Sequence, residues 1–286
     1  MSHPAYAVLQ PDQDPSCVVV ASPHSGRAYP PDFLAASVLD EMEIRSSEDA
    51  FVDAFFECAP EFGAAFIKAS MPRAFVDLNR AKDELDPALI EGVRRRGHNP
   101  RIASGLGVIP RVVANGRAIY RGKISGADAR RRIELYWQPY HDRLQQLLNR
   151  AHQRHGQAVL IDCHSMPHEA MDNVVRSGAQ RPDVVLGDRF GAAASGEVVD
   201  QVEAALRRAG FVVTRNTPFA GAYIAQAYGR PVRGQHAVQI EIDRSLYMDE
   251  ATLRPKGEFE EVRRLMRLVM ADIAEIGQGR MPLAAE

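Results

Sequence analysis

The sequence is poor in cysteine and has no long apolar run. Of its 286 residues only three are cysteines, Cys17, Cys58 and Cys163. An odd, small number argues against a disulfide framework and for reduced, mostly packing thiols in a cytoplasm. No stretch approaches the roughly 20 apolar residues of a bilayer span, and no signal peptide opens the chain. A protein neither membrane-spanning nor exported by that route is expected. An excess of one charge is missing too: 35 Lys and Arg against 37 Asp and Glu leave a net charge of −2 with histidine neutral. The Arg94-Arg95-Arg96 and Arg130-Arg131-Arg132 runs are short and isolated, so no basic stripe marks a nucleic-acid partner. Repeats and low-complexity tracts are absent. What remains is ordinary globular composition, 45% apolar and 25% charged, long enough for one large α/β domain.

Two stretches share one grammar. Ala158-Val159-Leu160-Ile161-Asp162-Cys163-His164-Ser165 and Cys17-Val18-Val19-Val20-Ala21-Ser22-Pro23-His24-Ser25 each read as a buried strand that delivers a histidine to a loop. Ligands of open α/β sheets bind at the carboxyl ends of strands, so the two imidazoles point to one shared metal site. Residues 1–16 read as a polar lead-in. A helix is expected over Asp40–Cys58, which puts Asp49 and Asp53 on one face. Strands are expected at Ala64–Ala69, Ala74–Leu78, Val184–Asp188, Phe211–Thr214 and Ala237–Ile242. Residues 84–107 lack periodicity and read as a lid or binding loop. Ile109–Tyr120, with Asn115-Gly116 at its tip, reads as a hairpin with a type I′ turn. A long amphipathic helix covers Ala127–His155, kinked near Pro139. His141, His152 and His155 read as surface or helix-end residues. Residues 166–182 read as a polar, mobile stretch, Val198–Ala209 as a helix, Thr217–Tyr228 as a loop, and Glu258–Ile276 as the closing helix.

Two imidazoles and a carboxylate are the ligand set of catalytic zinc in hydrolases. His24, His164 and either Asp49 or Glu48 supply that set. Bound zinc lowers the pKa of its water from 15.7 toward roughly 7, and a carboxylate off the metal must then move the proton. Glu241 is the candidate, because a glutamate after Val-Gln-Ile is otherwise a bare charge in a buried strand. Each signal read singly has a plainer meaning, a hydrogen-bonded histidine or a salt-bridged acid. Their joint position at three strand ends is what argues for chemistry. Cys163, alternating away from His164, reads as core and not as a nucleophile.

Asp77-Leu78-Asn79-Arg80 resembles the Asp-Leu-Asn-Arg segment of zinc carboxypeptidases and aspartoacylases. That resemblance implies that Asn79 and Arg80 hold a substrate carboxylate and that Arg73 polarises the scissile carbonyl, roles suited to guanidinium groups. The carboxypeptidase His-x-x-Glu motif would put its acid at Arg27, which cannot bind a metal. The third ligand must come from elsewhere; Asp49 is preferred to Glu48 because Asp53 on the same face can support it. Ser22–Gly26, Ser47–Asp53, Phe75–Arg80, Ile109–Arg111, Ile119–Lys123, Ile161–Met166 and Gln239–Ile242 together resemble the N-formylglutamate amidohydrolase family over about residues 17–270.

The resemblance implies a three-layer αβα domain with a mixed, mostly parallel sheet, zinc-carboxypeptidase-like in fold. Residues 1–286 are then one amidohydrolase domain, with 84–125 as its lid and hairpin insertion. It implies zinc-dependent hydrolysis of N-formyl-L-glutamate to formate and glutamate, the last step of one bacterial route of histidine degradation. Arg111, Arg121 and Lys123 are the cations expected to meet the side-chain carboxylate, although surface charge explains them equally well. His₂-carboxylate sites also accept iron, cobalt or manganese. Rival readings are a deacylase or carboxypeptidase for another N-acyl amino acid or short peptide, an inactive binding protein on the same fold, and nucleophilic catalysis by Cys163 or Ser165. The expected partner is a small molecule, with the chain a monomer or homodimer.

Overall fold

The computed structural model describes residues 3–13, 15–94, 97, 99–172, 174 and 180–277. Arg95, Arg96 and most of the polar stretch after Asp172 lie outside the described residues. The strands are β1 (Tyr6–Leu9), β2 (Val18–Ser22), β3 (Ala65–Ala69), β4 (Ala158–Met166), β5 (Val184–Gly187), β6 (Val213–Arg215) and β7 (Gln235–Asp243). They form one sheet in the order β1-β3-β2-β4-β7-β5-β6. β3, β2, β4 and β7 run parallel, whereas β1 and the β5–β6 pair run against them. The helices are α1 (Pro31–Ala36), α2 (Val52–Phe56), α3 (Pro100–Ala103), α4 (Gly126–Arg132), α5 (Gln138–His155), α6 (Gly196–Arg208), α7 (Tyr223–Tyr228) and α8 (Phe259–Ala274). None of the described helices is long and apolar enough to cross a membrane.

Every residue of β2 and β4 is buried, as it must be in strands covered on both faces. Alternation then sorts the side chains. Val18, Val20, Val159, Ile161 and Cys163 pack with α2, α6 and α8. Val19, Ala21, Leu160 and Ala237 pack with α5 and α7 on the other face. The expected mixed, mostly parallel α/β sheet is therefore what the chain forms. Cys163 lies in the first core, where burial pushes its thiol well above the ordinary value. Asp162 and His164 alternate to the opposite side.

Several elements differ from the sequence reading. Tyr6–Leu9 of the lead-in is an edge strand. The helix expected over Asp40–Cys58 is a 3₁₀ turn at Glu43–Arg45, a turn through Asp49, and then α2 alone. Phe51 breaks the continuity at φ 66°, and the Asp49 amide donates to the His24 carbonyl at 3.1 Å. Ala74–Leu78 is a turn and not a strand, because the Phe75 and Val76 amides both donate to the Pro72 carbonyl. The hairpin is reduced to one bridge, Val112 to Ala118. Asn115 and Gly116 at its tip have φ of 60° and 71°, as a type I′ turn requires. Half of the loop expected over 217–228 is α7. The long helix ending at His155 is interrupted by a π turn at Ile133–Trp137, and Pro139 sits in the first turn of α5. A proline has no amide to give the preceding turn, and a wider turn absorbs that loss.

His141 is the clearest correction on the helices. It is 4% exposed and is not a surface residue. Its Nε2 donates to the Leu78 carbonyl at 2.9 Å, so in the neutral ring Nδ1 accepts from the Tyr228 hydroxyl at 2.8 Å. His152, by contrast, reaches the Arg233 carbonyl from the end of α5. Burial pulls the His141 pKa down to about 3, against 6.5 in the unfolded chain. Above pH 6.5 the ring is neutral in both states and its stabilising contribution is complete. As pH falls from 6.5 toward 3 the unfolded chain gains a proton that the folded protein refuses. That costs about 1.4 kcal/mol per pH unit. His141→Gln is expected to lower stability at pH 7 by about 1–3 kcal/mol and to flatten the loss below pH 6.5 by nearly one proton. Urea unfolding between pH 4 and 7 measures both; an unchanged slope would contradict the buried neutral ring.

Candidate metal centre

The loop after β2 is pressed against neighbouring backbone. A Cβ on Gly26 would lie 2.2 Å from the Met71 carbonyl oxygen, so only glycine lets that loop turn there and hold His24 inward. His164 stands near the carboxyl end of β4, and Asp49 enters from the turn before α2. Asp49 Oδ2 lies 3.4 Å from His24 Nδ1 and 2.9 Å from His164 Nδ1. All three residues are buried, and their donor atoms lie within 4.8 Å of one another.

The remaining ring nitrogens face carboxylates. His24 Nε2 lies 2.7 Å from Asp77 Oδ1, and His164 Nε2 lies 3.1 Å from Asp162 Oδ2. A carboxylate behind each imidazole fixes ring orientation and raises basicity at metal sites. His24 Nδ1 is buried without a hydrogen-bond partner among the described residues, which a bound cation would satisfy. The donor set, two Nδ1 atoms and one carboxylate oxygen, therefore fits a divalent metal of the zinc or late-transition type.

Asp49 is gripped from its other oxygen. Arg244 Nη2 donates to Oδ1 at 3.1 Å, and Arg244 Nε donates to the Ser165 hydroxyl at 3.0 Å. Burial opposes ionisation of Asp49, but the hydrogen bond from His164 and the nearby His24 imidazole outweigh it and hold the carboxyl well below its ordinary value. Glu48 is turned elsewhere: it accepts from the Tyr29 hydroxyl at 2.7 Å and from Arg45 Nε at 2.9 Å. Asp53 does not support Asp49 either. It pairs with Arg27 and with Lys68 Nζ at 3.0 Å, because Asp49 and Asp53 share no helix face.

The Asp77–Arg80 segment serves this centre more than expected. Besides orienting His24, Asp77 accepts from Arg73 Nε at 3.0 Å. Asn79 accepts from the Ile224 amide at 2.7 Å, and its Nδ2 lies 3.1 Å from His164 Nε2. Nδ2 also lies 3.5 Å from Asp162 Oδ2, an acceptor it can reach while His164 Nε2 carries its proton, and Asn79 stands on the cavity wall. The backbone of the segment is pinned from α5 and the π turn before it: Trp137 Nε1 donates to the Arg80 carbonyl at 2.9 Å, and His141 to that of Leu78.

A family model described as N-formylglutamate amidohydrolase matches residues 16–248. The chain belongs to the N-formylglutamate amidohydrolase family. A crystal structure of N-formylglutamate amidohydrolase from Ralstonia eutropha JMP134 is 35% identical, has a TM-score of 0.88, and covers 95% of this chain and 97% of its own. An N-formylglutamate deformylase of Pseudomonas aeruginosa is 29% identical over 266 residues, 90% of this chain and 91% of that one. One from Pseudomonas putida is 27% identical over 240 residues, 82% of each.

In this amidohydrolase-family chain the centre opens into a cavity of about 580 Å³. Glu241 faces it beside His164, its register partner on β7, and accepts from Gln239 Nε2 at 2.8 Å. Burial lifts its carboxyl to about 7; His164 and Arg73 pull it down, whereas Asp49 and Asp162 add to the rise. Arg73, Arg80, Arg101 and Arg244 are the cations of the wall. Arg111, Arg121 and Lys123 do not line it. Arg111 Nε donates to Asp86 at 2.8 Å, Lys123 to the Pro87 carbonyl at 2.8 Å, and Arg121 is exposed. The hairpin turns its tip, Val112–Gly116, toward the cavity, and these three cations stand off its wall. Asp162, Arg101 and Arg244 were missed. Only Asp162 and Arg244 carried a signal, a charge inside or directly after an apolar strand.

Asp77→Asn removes the carboxylate that holds His24. Metal affinity should fall about 10- to 100-fold, read by chelator competition. Unchanged affinity would show that His24 Nε2 needs no acid behind it.

Proposed function

We propose that the chain hydrolyses the formamide bond of N-formyl-L-glutamate, giving formate and L-glutamate, with zinc held by His24 Nδ1, Asp49 Oδ2 and His164 Nδ1. The observation that carries this reading is the buried His24–Asp49–His164 group beside Glu241, in a chain whose relatives bear that activity in their names. Zinc in such a site supplies Lewis acidity and lowers the pKa of a water from 15.7 toward roughly 7.

The chain's own groups do the rest. Glu241 takes a proton from the attacking water as its oxygen bonds to the formyl carbon. The same carboxyl then returns that proton to the nitrogen as the C–N bond breaks, so one residue serves as base and acid. Arg73 is fixed through Nε by Asp77 and offers its terminal nitrogens to the oxygen that gains charge. Asp77, Asp49 and Glu241 more than offset the burial that opposes its charge. Arg80, held by the Leu106 and Asn79 carbonyls, meets the α-carboxylate. Cys163 is sealed in the core, which supports water and not a thiol as nucleophile, and the free cysteines support action in a reducing cytoplasm.

Purified protein loaded with zinc should release formate and glutamate in equal amounts from N-formylglutamate, and chelation should abolish this. Glu241→Gln should lower kcat by about 10²–10⁴ while retaining the metal. No formate release from N-formylglutamate, with turnover of N-acetyl or peptide analogues, would move the reading to another deacylase. Full activity of the variant would remove Glu241 from the mechanism.

A further inference from the structure

Four arginines face the cavity, and three have fixed work. Arg244 grips Asp49 and Ser165, and Arg73 is paired with Asp77. Arg80 is nearly buried, its Nε 4.0 Å from both Asp77 and Glu84. Arg101 is different. It stands in the first turn of α3, exposed, and its guanidinium has no hydrogen-bond or ion-pair partner among the described residues. A guanidinium without a hydrogen-bonded partner, on a cavity wall that already holds Arg80, leaves positive charge there that Glu84 offsets only in part; burial first, then Arg73 and Arg101, pull Arg80 below its ordinary value, against Asp77 and Glu84. A ligand bearing a second negative charge balances that positive charge.

The wall is built to hold Arg101 in place. Asn99 caps α3 by accepting from the Arg101 and Ile102 amides at 2.9 and 3.4 Å. The Leu106 amide donates to the Arg101 carbonyl at 2.8 Å, and the Leu106 carbonyl in turn accepts from Arg80 Nε. Arg111, tied to Asp86, reaches the Ala103 carbonyl through Nη2 and the Gly105 carbonyl through its amide. Arg111 thus buttresses the helix that carries the cavity-facing cation, and Ser104 at the end of that helix lines the same wall.

We propose that Arg101 binds the side-chain carboxylate of the substrate and is the residue by which this cavity selects an acidic N-formyl amino acid over a neutral one. The assignment rests on the deformylase reading for its reaction, but not for its ligand chemistry: Arg80 and Arg101 together form a receptor for a dicarboxylate. Arg101 is a specificity residue that touches the far end of the substrate, so its loss acts on binding and leaves the chemical step alone.

The test compares zinc-loaded wild type, R101Q and R101K with N-formylglutamate and with its neutral isostere N-formylglutamine. R101Q should raise KM for N-formylglutamate about tenfold or more with kcat nearly unchanged. It should leave N-formylglutamine unaffected, and R101K should recover part of the loss. A parallel titration with glutarate and butyrate reads binding without turnover: R101Q should lose glutarate affinity by a similar factor and keep that for butyrate. Equal effects on both substrates, or unchanged glutarate binding, would overturn the assignment. Glutarate selectivity that depends on Arg101, in a protein that leaves N-formylglutamate intact, would uphold the dicarboxylate site and refute the deformylase reading instead.

Discussion

One carboxylate oxygen organises this protein. Asp49 Oδ2 is buried between His24 Nδ1 and His164 Nδ1, and a buried carboxylate with two imidazoles is tolerated only where charge and hydrogen bonds balance. The balance is built outward. Asp77 and Asp162 stand behind the imidazoles, and Arg244 stands behind Asp49. Arg73 stands behind Asp77. The architecture follows from having to deliver these groups to one point: β2 and β4 are parallel neighbours, so their ends bring the histidines together. β7 adjoins β4 in register, so Glu241 arrives beside His164.

A second layer transmits the fold to the site through backbone carbonyls. Trp137 and His141, spanning the junction of the π turn and α5, hold the carbonyls of Arg80 and Leu78. The turn that presents Asp77, Asn79 and Arg80 is thereby fixed from the helical layer, and its side chains remain free to serve the metal centre and the cavity. The interrupted helix is therefore part of the site's support, and Pro139 marks where the interruption was needed.

The histidines were legible because a run of β-branched residues ending in a polar cluster has one plain structural meaning. Glu241 was legible for the same reason, and Cys163 was placed correctly by alternation alone. Asp49 was legible by chemistry but assigned to the wrong element, since Phe51 and Val52 mimic a helical stripe while the chain in fact turns through φ 66° at Phe51. Asn79 was found by its motif, but the groups it touches, His164 and Ile224, lie 85 and 145 residues away. Arg244, His141 and Arg101 were missed or misread because their meaning lies in such distant contacts, or in a contact that is lacking. A charge with a partner and a charge without one look alike in a sequence.

One divalent metal on the Nδ1 atoms of both histidines and on Asp49 would leave the Nε2 atoms turned to Asp77 and Asp162. Anomalous diffraction at the zinc edge from crystals grown with zinc tests it directly. A single peak is expected about 2.0–2.2 Å from His24 Nδ1, His164 Nδ1 and Asp49 Oδ2. A peak on the Nε2 atoms, a peak elsewhere in the cavity, or none at all would contradict it.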